Sequence, residues 1–99
     1  MEKICRIGGR ECALRYTVNA LCAVEELAGG SLDHLMEKQF TASRLLLWGA
    51  LIESRPEITV ADAGEMIGTH IRMGGTLEEI VNLCADALAE GGFFGENGK

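Results

Sequence analysis

Ninety-nine residues with 47% apolar side chains make one domain, because a chain of about 100 residues buries roughly two thirds of its unfolded surface without needing metal or disulfide staples. A net charge of -6 excludes a nucleic-acid binder of the ordinary kind, whose affinity comes from clustered Lys and Arg releasing counterions. With only five aromatic rings, the core must be aliphatic, which favours packed helices.

The charge is unevenly placed: residues 2–15 carry a net +2 and the remainder a net -8, a basic ribbon on an acidic body. The start MEKICRIGGR has no apolar leader region and no stretch is long enough to span a bilayer, so the expected location is the cytoplasm, without membrane contact. Cys5, Cys12, Cys22 and Cys84 contain no C-x-x-C pair and lie far from His34 and His70, so they read as reduced thiols and no metal or other cofactor is expected.

In chain order, Lys3 to Ile7 and Arg10 to Tyr16 flank Gly8-Gly9, a two-residue hairpin signal because both turn positions need positive φ. In that register Cys5 faces Cys12, and Cys5, Ile7, Cys12, Leu14 and Tyr16 share the face that must lie on helices. The cysteine pair falls at a hydrogen-bonded site, which favours two thiols over a disulfide. Thr17 caps a helix to about Ala28 whose face is Ala20, Leu21, Val24, Leu27 and Ala28, with Gly29-Gly30 as its stop. Ser31 opens a short turn or helix to about Lys38. The stretch from Thr41 to Ser54, TASRLLLWGALIES, has almost no polar face and reads as a buried central helix, capped by Thr41 or Ser43 and ended by Arg55-Pro56. Thr59 with Asp62 caps the next helix, whose face is Val60, Ala63, Gly64, Ile67 and Ile71. Thr76 with Glu79 is a capping box for the last helix, with Leu77, Ile80, Val81, Cys84 and Leu88 turned inward. The expected fold is therefore mainly α: an N-terminal β-hairpin (3–16) followed by a compact bundle of four to five short helices, one domain over residues 1–90, with a flexible tail over 91–99.

Catalysis needs a nucleophile with a base, or paired carboxylates in a cleft, and no spacing here supplies either, so the chain does not read as an enzyme. Glu25-Glu26 and Glu78-Glu79 are solvated faces, and His34 and His70 have no local acid partner and read as surface or half-buried residues. Thr59 to Leu88 has a helix-turn-helix outline, but the second helix lacks any Lys or Arg and opens on two glutamates, which excludes a DNA reader. The partner-binding candidates are Met66 and Met73, core plugs or an adaptable groove for a helical ligand, and Phe93 and Phe94, which either fold back over the last helix or dock into a partner.

The succession of RIGGRECALRYTVNA, CAVEELAGG, LLLWGALIES, RPEITVADAGEMI and a final short helix, from about Ile4 to Leu88, resembles the small tail assembly chaperones of long, non-contractile phage tails, prophages and gene transfer agents. That resemblance implies a protein without catalytic residues that binds the long, helical tape measure protein, prevents its aggregation and hands it to the tail tube protein. It also implies action as a homo-oligomer in the bacterial host cytoplasm. The competing expectation is a structural head or tail component of a phage-like particle, held by subunit-subunit contacts through the hairpin edge and the Phe93-Phe94 tail.

Overall fold

The computed structural model describes residues 3–29 and 39–93. Among them run two strands, β1 (Lys3–Ile7) and β2 (Arg10–Leu14), and four helices, α1 (Val18–Ala28), α2 (Gln39–Leu51), α3 (Val60–Arg72) and α4 (Leu77–Glu90). The N-terminal hairpin followed by a helical bundle is thus the architecture. The expected short element from Ser31 to Lys38 lies outside the described residues, as does the tail beyond Phe93.

Gly8 and Gly9 both adopt positive φ, 62° and 81°, and close an antiparallel pair in which Cys5 opposes Cys12 and Ile7 opposes Arg10. Strand alternation then buries Ile7, Cys12 and Leu14 and leaves Arg6 and Glu11 outside, with Tyr16 buried just past the strand end. Threonines start three of the helices: the hydroxyls of Thr17, Thr59 and Thr76 accept from the amides of Ala20, Asp62 and Glu79, and the latter two complete reciprocal capping boxes. Gly29 ends α1 in the left-handed region, its amide reaching the carbonyls of Glu25 and Glu26.

Every other helix and β2 pack on α2. Leu45, Leu46, Leu47, Ala50 and Leu51 are buried on it, and only Arg44 of its middle turns faces solvent. A helix with so little polar surface has to be enclosed, and the hairpin, α1, α3 and α4 enclose it. At Gly49 the helix lies close on α1: a Cβ there would come within 2.5 Å of Val24 Cγ2. The main core joins Ile7, Leu14, Leu47, Leu51, Ile67, Ile80 and Cys84; a satellite of Val24, Ala42 and Leu45 shares Trp48 with it.

Four expectations need correction. Neither Thr41 nor Ser43 caps the central helix, which begins at Gln39; the Ser43 hydroxyl instead donates to the Gln39 carbonyl at 2.8 Å and is buried inside the helix. The helix also stops at Leu51 rather than Ser54, and the chain turns there, with the Arg55 amide on the Leu51 carbonyl at 2.8 Å. Leu27 is 56% exposed, because Val24 and Ala28 are the residues packed on Ala42 and Leu45, which leaves Leu27 at the margin of that face. Ile71 is 41% exposed, since the buried face of α3 runs through Ala63, Met66 and Ile67, on the side the hairpin turn covers.

Candidate functional site

The two turn glycines bring the hairpin down on α3 at close range. A Cβ on Gly8 would lie 3.3 Å from the Met66 carbonyl oxygen and from the Thr69 methyl, and a Cβ on Gly9 would lie 3.0 Å from the Met73 methyl. The Gly8 amide donates to Nδ1 of His70 at 3.1 Å. Nε2 of the same ring lies 2.8 Å from Oε1 of Glu79, which also accepts from the Thr76 amide at 3.1 Å. One imidazole therefore joins the hairpin turn, the end of α3 and the start of α4. The bond to His70, then the Thr76 amide, holds the Glu79 carboxyl below its ordinary value.

Beside this bridge lies a cleft of about 310 Å³ between the hairpin turn, the connection from α2 to α3, and α3 itself. Its floor is apolar: Ile7, Ile58 and Met66 are all buried. Its rim carries Arg10 and Arg55 together with Glu57 and Glu65, none of which is ion-paired among the described residues. Such a lining can hold an apolar side chain with polar groups at either end. It has no nucleophile paired with a base.

A second surface flanks the first half of α2. On one side Phe40, Arg44, Gly64 and Ile67 line a shallow groove of about 240 Å³, with Phe40 70% exposed. On the other side Ala42, Leu46, Leu77 and Val81 line a wider, mostly apolar groove of about 440 Å³ edged by Gln39 and Glu78. The N-terminal half of α2 is a ridge between two depressions. Of the apolar side chains lining these depressions, Ala42, Leu46 and Ile67 are buried and Phe40 stands out into solvent.

Of the four residues that sequence patterns single out for partner binding, the structure describes Met66, Met73 and Phe93, which lie at separate places. Met66 is a core side chain, 8% exposed, and forms cleft floor. Met73 is 63% exposed at the end of α3, its thioether against Gly9. Phe93 folds back with its ring against Gly91 and its amide on the Leu88 carbonyl at 3.1 Å, while Phe94 lies outside the described residues. Two further residues stand out in the structure. Phe40 reads as an approach to the central helix but forms its exposed first turn, and His70, which has no acid nearby in sequence, gains Glu79 because the turn at Gly74-Gly75 folds α4 back beside the end of α3. The Thr76–Glu79 capping box next to that turn was the available signal.

Trp48 is anchored in the core, its indole N–H donating to the Ile58 carbonyl at 3.1 Å. All four cysteines are free thiols. Burial, then the neighbouring Cys12, raises the Cys5 thiol; burial pushes Cys84 up to about 11, against the opposing effect of its bond with Tyr16. Tyr16 is raised as well, first by burial, and its hydroxyl donates to the Leu46 carbonyl at 2.6 Å. These groups stay neutral and act as packing. Among the described residues, no three side chains are grouped to hold a metal and no helix is long and apolar enough to cross a membrane. No family model, curated protein or solved structure matches the chain.

Proposed function

We propose that this chain is a tail assembly chaperone of a phage or prophage, acting in the bacterial host cytoplasm by binding the tape measure protein and keeping it from aggregating until tail tube subunits receive it. The order of its sequence segments supports the reading. The structural observation that carries it is the ridge of α2 between two grooves, with Phe40 exposed over one and Leu46, Leu77 and Val81 lining the other. An amphipathic helix presents apolar side chains at i, i+3, i+4 and i+7, and grooves beside a ridge are the shape that receives them. The acidic body keeps such a surface dispersed between encounters.

Co-expression with the tape measure candidate encoded in the same genome tests the proposal. Raised soluble yield of that candidate, together with co-elution, is the expected result. A well-folded chain that neither rescues nor co-elutes overturns it.

The hairpin favours a second reading. Only alternate residues of each strand serve the ladder, so the backbone groups of Ile4 and Arg6 on β1 and of Glu11 and Ala13 on β2 turn away from the partner strand. A permanent structural component of a phage-like particle would join subunits through such edges. Many copies of the chain per purified particle would establish that role and remove the chaperone reading, in which the protein leaves before completion.

A further inference from the structure

The bridge at the hairpin turn works in one protonation state. A backbone N–H can only donate, so Nδ1 of His70, 3.1 Å from the Gly8 nitrogen, must present its lone pair. Nε2 then carries the ring proton and donates it to Glu79 Oε1 at 2.8 Å. Neutral imidazole satisfies both partners at once. Its ring lies hard against Gly75, where any Cβ would collide with it, and a flip about Cβ–Cγ would put Cδ2 in place of Nδ1 and lose the Gly8 bond. The side chain is 16% exposed, within reach of solvent protons.

We propose that His70 is an acid-released latch for the hairpin turn. Protonation at Nδ1 puts an N–H where the Gly8 amide needs an acceptor, two donors face each other, and the turn separates from α3 while the imidazolium stays on Glu79. Charged groups on each neighbouring element bear on this step. From α4, the Glu79 carboxylate contacts the ring at Nε2. On the hairpin, Arg6 is engaged with the Gly9 carbonyl at 2.6 Å and Arg10 lines the cleft beside Gly8. On α3, Arg72 bonds the Thr69 hydroxyl at 3.3 Å, one residue before the ring. Glu79 therefore compensates the proton, and the Gly8 amide is the group that loses its partner.

The release is local. Ile7, Cys12 and Leu14 remain in the core, and the Arg15 amide holds the Ala50 carbonyl at 3.0 Å, so the strands stay docked while Gly8 and Gly9 lift. Because Ile7, Gly8 and Arg10 form one wall of the cleft described above, lifting the turn widens the cleft mouth. Histidine side chains in general change charge between about pH 5 and 8, which sets the range of the test.

Amide hydrogen exchange of the full chain, normalised to intrinsic rates and read by NMR with the His70 ring resonances followed in the same samples, tests the latch. From pH 8 to pH 5 the protection of the Gly8 amide should fall at least tenfold as the ring titrates, while that of Leu47 in α2 holds. In His70→Gln the Gly8 protection should lose its pH dependence, and in His34→Gln it should keep it. Unchanged Gly8 protection while His70 titrates, or a ring that stays neutral down to pH 5, overturns the proposal, and the wild-type titration decides the matter even where the His70 variant does not fold.

Discussion

Gly49 shows how much one missing methyl group can determine. With Val24 Cγ2 2.5 Å from where its Cβ would stand, Gly49→Ala should cost about 1–3 kcal/mol through overpacking between α1 and α2, measured by urea unfolding of Trp48 fluorescence. Leu47→Ala should cost about 2–5 kcal/mol by the opposite route, since a side chain with no exposure leaves a cavity. Thiol chemistry gives an independent check on burial. Cys22 is exposed and should label first with a maleimide, whereas Cys12 and Cys84 should label only on unfolding, Cys84 doubly protected because its thiolate is disfavoured at neutral pH. Equal labelling rates at all four positions would contradict the packing described.

Among the elements, those with self-contained start signals were readable from the chain. The hydroxyl-to-amide bonds of Thr17, Thr59 and Thr76 form within four residues, so the pattern that announces them is the interaction itself. The start of α2 was not readable that way: in a buried helix a Ser hydroxyl can be satisfied by the carbonyl four residues back, and Ser43 does this, so its presence marks no boundary. Removing a working cap should register. Thr76→Ala should lower stability by about 1 kcal/mol, and it should also loosen Glu79, which shares the box. The pH dependence has a definite sign. Glu79 is held below its ordinary value of 4.5, so the stability it contributes is present above that value and lost as pH falls through the lowered one; Glu79→Gln should therefore differ from the wild type near pH 6 and converge with it in stronger acid.

For the whole molecule, the fold was more legible than its contact surface, and the reason is physical. Periodicity records which residues face some neighbour, but the rotation of a helix within the bundle is set by partners distant in sequence. The hairpin turn sits on the Met66 side of α3, where Met66 joins the core, while Ile71 is left outside. Phe40→Ser should thus weaken the complex with the tape measure candidate while shifting Tm by no more than a few degrees, because the ring is already 70% exposed. A collapse in Tm would instead place the ring in the core. The hairpin also bears on how the chain is made. Its Arg15 amide and Tyr16 hydroxyl are held by the carbonyls of Ala50 and Leu46, on the last turns of α2. The hairpin is therefore waiting for a docking surface synthesised 30 residues after Tyr16. A two-stranded hairpin is marginal in water by itself, so nascent chains ending before Leu51 should be open to protease within the hairpin, and completion of the central helix is the event that closes it.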